Sequence, residues 1–234
     1  MFPLSTTLDH VGTLTTTVAQ TRRLLEVLAG VSLDAAPPKR VGALRRQLDD
    51  PDLTTGVRDR THEAIEALAA AGFEIVDVDL PELELVDAAL GAIALREAWE
   101  VHRERFEREA DGYGPGTRAL LEHGAQVSDD DYRAALADKE RITAAFAKVF
   151  ADVPVLVGPT VAYPAPAEDP PFGTPEGDVE GRFTGPYNIT GSPAVSLSCG
   201  LAEGSLPAGL QLAAAAGNDA LLLSVAEVYE EVAP

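Results

Sequence analysis

Cysteine is nearly missing from this chain. Cys199 stands alone among 234 residues, which excludes an intramolecular disulfide and any cysteine-built metal cluster within one chain. The four histidines (His10, His62, His102, His123) are scattered without ligand spacing, so neither a structural metal nor a cofactor is expected. Basic residues are scarce as well: 18 Lys and Arg face 38 Asp and Glu, for a formal net charge of -20, and only Lys39, Lys139 and Lys148 are lysines. Such a chain repels a phosphate backbone, which needs clustered Lys and Arg, and nucleic acid is excluded as a partner. No apolar run reaches the roughly 18 residues of a membrane span. The start, Met1-Phe-Pro-Leu-Ser5, lacks the basic and apolar regions of a secretory leader, so no membrane contact is expected and the expected location is the cytoplasm. No internal repeat is visible.

What is present suffices for one sizeable core, at 46% hydrophobic residues. Leu14, Val18, Leu25 and Leu28 share one helical face ahead of Gly30, which predicts an amphipathic helix over 13–29. Val41–Leu44 reads as a strand, Gly56–Ala71 as a helix with Val57, Ala64, Ile65 and Leu68 inward, and Phe73–Leu80 as a strand alternating Val76, Val78 and Leu80 with Asp77 and Asp79. Strand, helix, strand predicts a βαβ crossover with parallel strands. Residues 83–108 read as an exposed charged helix, with Glu104 and Arg108 spaced to pair. Gly112-Tyr-Gly-Pro-Gly116 breaks it; no apolar strand precedes those glycines and Pro115 removes a donor, so a phosphate loop is not expected there. Ser128-Asp-Asp-Asp131 is a capping box opening a helix with Tyr132, Leu136, Phe146 and Phe150 inward. Val153–Val157 reads as a buried strand, and 159–181 as the longest irregular stretch, of the kind that is functional or mobile inside a compact domain. A short helix near Phe183–Ile189, strands at Ala194–Cys199 and Ala208–Ala213, and a closing helix led by Leu221, Val225 and Val228 complete the chain.

Several of these segments, in this order, resemble the second half of the amidase signature family. The match runs from Phe2-Pro-Leu-Ser-Thr-Thr-Leu-Asp-His-Val-Gly12 and the helix ending Leu25-Glu-Val-Leu-Ala-Gly30, through Arg40-Val-Gly and the acid-rich strand end Val78-Asp-Leu-Pro81, to Pro159-Thr160 with Pro164 and Pro166. It closes on Asn188-Ile-Thr-Gly-Ser-Pro-Ala194 and Leu206-Pro-Ala-Gly-Leu-Gln-Leu212. The resemblance covers essentially the whole chain, 1–234, as a single C-terminal portion of an amidase domain: 1–30 the end of the signature region, 40–158 a helical and βαβ section, 182–234 the C-terminal sheet and helix. It implies an α/β fold, a partial α/β/α sandwich around a mixed sheet lacking the N-terminal half. It also implies hydrolysis of linear amides by a Ser-Ser-Lys triad, in which a lysine accepts a proton from a bridging serine, that serine activates the nucleophilic serine, and backbone N–H groups hold the oxyanion.

The triad needs a Gly-Ser-Ser-Gly-Gly-Ser type loop and an upstream lysine, and this sequence contains neither. Ser196 and Ser198 beside Cys199 read as ordinary residues of a buried strand, the three lysines as surface residues, and no Gly-x-Ser-x-Gly elbow accompanies the histidines. No catalytic residue is assigned. The resemblance implies substrate-binding roles for Thr160, Tyr163, Tyr187 and Asn188, which stand at the matching loop and helix start; loop packing and capping are the alternative for each. Glutamine-processing members carry an Asp two residues before the Phe-Thr pair, where this chain has Gly181, which favours a general amidase over the A-type component of a glutamine amidotransferase. Met1 stands where the family continues a strand, which suggests a truncated gene model, a broken gene or a two-chain enzyme. The implied partners are a small-molecule amide and either a separate N-terminal amidase chain or a homo-oligomer. A non-catalytic binding or scaffolding module is the rival reading.

The acidic surplus has two open readings, a solvated surface that maintains solubility and adaptation to a saline cytoplasm. Thermal melts across molar KCl separate them: a melting temperature that climbs with salt is expected of the second, and one that stays fixed of the first.

Overall fold

The computed structural model describes residues 2–168, 170 and 174–233; Met1, and with it the expected strand interruption, lies outside them. An irregular N-terminal segment leads into α1 (Val18–Ala29), capped by the Thr17 hydroxyl on the Gln20 amide and closed by Gly30 at φ 69°, a left-handed turn that glycine enters without strain. Leu14 precedes this helix and is exposed, and Leu28 is exposed as well, so of the four expected face residues only Val18 and Leu25 turn inward. Next come β1 (Arg40–Leu44), the one-turn α2 (Arg45–Leu48), α3 (Thr55–Ala70) and β2 (Glu74–Val78). As the alternation predicts, β1 and β2 are parallel, with Val41 opposite Ile75.

A 3₁₀ turn at Pro81–Leu85 opens α4 (Val86–Glu109), followed by α5 (Pro115–Gly124) and α6 (Asp129–Asp152). The α5 helix is hidden in the sequence behind its glycines: Pro115 sits in its first turn, where a missing N–H costs nothing. Ser128 caps α6, accepting from the Asp131 amide at 3.1 Å. The chain then passes through β3 (Val155–Pro159), α7 (Pro175–Glu180), α8 (Gly185–Thr190), β4 (Ala194–Leu201), β5 (Pro207–Ala214) and α9 (Asp219–Val232). The stretch expected to be irregular over 159–181 therefore contains a short helix, capped by Thr174.

Among the described residues five strands form one mixed sheet in the order β2-β1-β3-β5-β4, with β5 antiparallel to both its neighbours. Period-two alternation sends Val41, Ala43, Val157, Leu210 and Leu212 to one face, where they pack with α3 and α9. Leu44, Leu156 and Ala213 point to the other, against α4, α6 and α8. The result is the expected α/β/α sandwich. Each fully buried Leu or Ile in these layers, such as Ile93, Ile142 and Leu156, contributes about 1.5–3 kcal/mol. The two sheet edges differ in chemistry. β2 is charged, pairing Glu74 with Arg40 and Asp77 with Arg45 at 2.5 Å, and Asp79 just beyond it pairs with Arg46 at 2.6 Å. No charged residue occurs in the eight of β4.

Two expectations are corrected on the helical side. Lys139 is half-buried and donates to the Ile189 carbonyl, tying α6 to α8, whereas Lys39 and Lys148 are exposed as expected. The 83–108 helix is not simply exposed: Val86, Ala89, Ile93 and Ala98 are buried, and the ion pairs within it among the described residues are Arg96–Glu100, Arg103–Glu100 and Arg105–Glu109, not Glu104–Arg108. Most of its charge lies outward, but Glu97 is 6% exposed. Its carboxylate accepts from Ser5 Oγ at 2.6 Å, the Thr7 amide at 2.9 Å, the Thr7 hydroxyl and the Tyr132 hydroxyl at 2.7 Å. Burial pushes the carboxyl pKa up, but hydrogen bonds from Ser5, Thr7 and Tyr132 together outweigh it and hold the group below its ordinary value.

A carboxyl with a depressed folded-state pKa stabilises the fold above its unfolded value and loses that contribution as pH falls through the folded one. Glu97→Gln is therefore expected to lower stability by about 2–3 kcal/mol at neutral pH, the worth of hydrogen bonds to a charged group. Urea titrations should show the gap between the two proteins narrowing below about pH 4.5, the carboxyl's reference value.

Candidate functional site

The site is organised around α8 and the strand that follows it. Arg182 anchors the approach through Asp52 at 2.8 Å, Asp50 at 3.2 Å and Asp87 at 3.4 Å. One residue on, the Phe183 carbonyl accepts from two buried glutamines, Gln211 of β5 at 2.9 Å and Gln47 of α2 at 3.3 Å, which pins the start of α8 to the sheet. Gly191 ends α8 at φ 66°, and its amide and that of Ser192 both reach back to the Tyr187 carbonyl. The chain then turns directly into β4.

This path leaves two adjoining concavities. The first, about 500 Å³, is lined by the N-terminal segment from His10 to Thr15, by Thr184, Tyr187 and Asn188, and by Ser196 and Gln211 of the sheet. The second, about 520 Å³, is lined by Thr160, Tyr163, Ser196, Ser198 and Gly209 among others. The four residues proposed from the resemblance thus fall into two pairs, Tyr187 with Asn188 and Thr160 with Tyr163, and Ser196 borders both spaces.

Thr160 and Ser196 touch through their hydroxyls at 2.7 Å. Their meeting depends on Gly209, where a Cβ would lie 2.7 Å from both hydroxyl oxygens, and the Thr160 amide donates to the Gly209 carbonyl at 2.9 Å. Ser196 and Ser198 are exposed on an edge strand, which corrects their assignment to a buried one; edge position cannot be read from a strand's own sequence when it lacks charge. Cys199, on the opposite face, is buried, and burial pushes its thiol up to about 11, which leaves no thiolate for nucleophilic work. Tyr163 is half-buried against the core shared by α3 and α9.

Tyr187 is more core than rim. It packs edge-on against Phe146 at 6.2 Å, and its hydroxyl is buried with no hydrogen-bond partner among the described residues. Burial alone pushes the phenol pKa well above its ordinary range. Asn188 does face the first concavity, where Nδ2 donates to the Leu8 carbonyl at 3.1 Å. The same carbonyl lies 2.6 Å from His10 Nδ1. His10 carries no signal in the sequence because no ligand or nucleophile stands near it in the chain; the fold brings it to Asn188, 178 positions away, at 3.3 Å. Hydroxyls, amides and one imidazole dominate the polar lining, with Asp219 the carboxylate among the lining residues. Such a surface suits a neutral polar ligand with both donor and acceptor atoms.

A family profile described as Amidase matches residues 1–223. An amidase of Pseudomonas putida is 31% identical over 231 residues, covering 87% of this chain and 49% of that protein. The A-type component of the glutamyl-tRNA(Gln) amidotransferase of Prochlorococcus marinus (strain MIT 9303) is 30% identical over 279 residues, covering 98% of this chain and 56% of that protein. A solved structure described as an amidase superimposes with a TM-score of 0.88 at 28% identity, covering 99% of this chain and 55% of that one. The chain therefore spans about half the length of the curated relatives it matches.

A buried hydroxyl without a partner costs about 1–3 kcal/mol. Tyr187→Phe is accordingly expected to raise stability by about 1 kcal/mol in chemical denaturation; a loss of that size would mean the hydroxyl has a partner after all.

Proposed function

The chain belongs to the amidase family, and from that premise we propose that it is the C-terminal portion of an amide C–N bond hydrolase, shaping the substrate pocket in the cytoplasm while the Ser-Ser-Lys machinery comes from elsewhere. The observation that carries this reading is a pairing. A double concavity lined by hydroxyl, amide and apolar groups, with Asp219 and Glu180 as its carboxylates, is built from the loop and helix start that match the family, in a sequence with no Gly-Ser-Ser-Gly-Gly-Ser type loop and no lysine free to serve one. Lys139 is spent on the Ile189 carbonyl, and Lys39 and Lys148 line neither concavity.

In the reaction so proposed, a serine from the complementary segment attacks the amide carbonyl carbon to form an ester. The nitrogen leaves with the proton relayed through the second serine and the lysine, and water then cleaves the ester. This chain's part is to bind and orient the amide beside that serine, which converts an encounter into a positioned reaction. The open, charge-free edge of β4 supports a segment pairing there, since an unpaired edge of eight residues without charge is a template for another strand. Exposed Val11, Leu14, Leu201 and Leu206 supply further apolar surface for such a segment. The same edge argues against the rival reading of a stand-alone scaffolding module, whose exposed strands would be rewritten with charge.

A second reading, part of the A-type component of a glutamyl-tRNA(Gln) amidotransferase, is supported by the Prochlorococcus relative. Gly181, standing where glutamine-processing members carry an Asp, favours the general amidase.

Assays on a panel of aryl and aliphatic amides test the proposal. The purified chain alone is expected to release no amine, and hydrolysis is expected once an N-terminal amidase segment carrying the lysine and both serines is supplied. Turnover by the chain alone would overturn the division of labour, and inactivity of a well-folded mixture would point to the non-catalytic module.

A further inference from the structure

The Leu8 carbonyl fixes the place of one hydrogen on the His10 ring. A carbonyl oxygen can only accept, so His10 Nδ1, 2.6 Å away, must carry the hydrogen. Asn188 Nδ2 also donates to that oxygen, at 3.1 Å, which sets the orientation of the amide. Both donors converge on one acceptor, and the 3.3 Å between Asn188 Nδ2 and His10 Nδ1 is then a contact of neighbours rather than a hydrogen bond. In a neutral ring whose hydrogen sits on Nδ1, Nε2 on the opposite edge carries a bare lone pair. His10 lines the first concavity, and no protein group among the described residues hydrogen-bonds Nε2.

The other side chains there are largely committed. Thr15 Oγ1 is held by Thr17 and Thr21, Ser196 by Thr160, and Gln211 donates to Phe183. Resting on the reading of this space as an amide site, we propose that His10 Nε2 is a substrate-binding acceptor that takes an N–H of a carboxamide ligand. This assignment selects carboxamides over carboxylates of the same shape, because a carboxylate brings no N–H and sets a negative charge near Asp219.

Nitrogen-15 NMR of the imidazole rings of the whole chain, at about pH 8 where a free imidazole is neutral, tests this with benzamide and benzoate as matched probes. The expected spectrum shows His10 protonated at Nδ1, an Nε2 signal that moves with benzamide and not with benzoate, and benzamide affinity about tenfold weaker in His10→Phe. A ring protonated at Nε2 overturns the proposal. So does benzamide that shifts the side-chain amides of Asn188 and Gln211 but leaves Nε2 unmoved, an outcome under which the cavity still binds amides. If benzamide moves no signal in the cavity, both this assignment and the amide-site reading fall.

Discussion

A single buried carboxylate places the first residues of the chain, and the site follows from that placement. Glu97 gathers Ser5, Thr7 and Tyr132, joining the N-terminal segment to α4 and α6 at once. Among the described residues no ion pair meets its negative charge, so hydrogen-bond donors hold it, and each donor lost would leave an expensive unpaired charge. The consequence reaches well beyond Glu97. Leu8 is buried three residues after Ser5, its carbonyl meets Asn188 and His10, and the concavity takes its wall from the residues that follow. A segment with no regular structure is thereby set to within hydrogen-bonding distance of a helix 180 positions away.

Charge in this protein is distributed with a matching logic. Although the chain carries -20 overall, at the β2 edge Arg40, Arg45 and Arg46 pair with Glu74, Asp77 and Asp79. Exposed pairs of this kind contribute little stability, about 0–1 kcal/mol each. Their structural effect lies in ending the sheet, since a strand fringed with charge and committed side chains makes a poor template. At the other end the sheet of the described residues stops at β4, which carries no charge to refuse a neighbour.

Much of this architecture is legible in the chain itself. The β1-α3-β2 unit, the Ser128 cap, the order of the late strands and the closing helix all follow from period and punctuation, which are local signals. What the sequence hides has a common physical cause. Glu97 reads as one more charge on a charged helix, because the donors that bury it lie 35 to 92 residues away. Lys139 reads as a surface residue for the same reason, its carbonyl partner being 50 residues distant. Of the predicted site residues, Asn188 and Thr160 do face the concavities through hydrogen bonds, whereas Tyr187 is marked by its position beside Asn188 and fills the core with its ring. Helical neighbours point in different directions, about 100° apart at 3.6 residues per turn, so adjacency in a motif does not transfer a role.

The coincidence of the cavity with the open edge has a thermodynamic meaning. Strands β1, β3 and β5 are paired on both sides and covered on both faces, so their geometry is settled within this chain. Among the described residues the strand β4 is paired on one side only, and Ala194, Ser196 and Ser198 are exposed. The segment from Val11 to Thr15 that faces it carries exposed Val11 and Leu14. The outer wall of the first concavity, from Val11 to Thr15 and along β4, is thus less constrained than its floor, with Gln211 and the Phe183 carbonyl. Local stability follows buried contact, and elements with few such contacts open at low free energy. A strand that paired with β4 would order the same residues that line the cavity, so any ligand held there and any segment bound at the edge would share the conformational entropy of one ordering step and favour each other's binding.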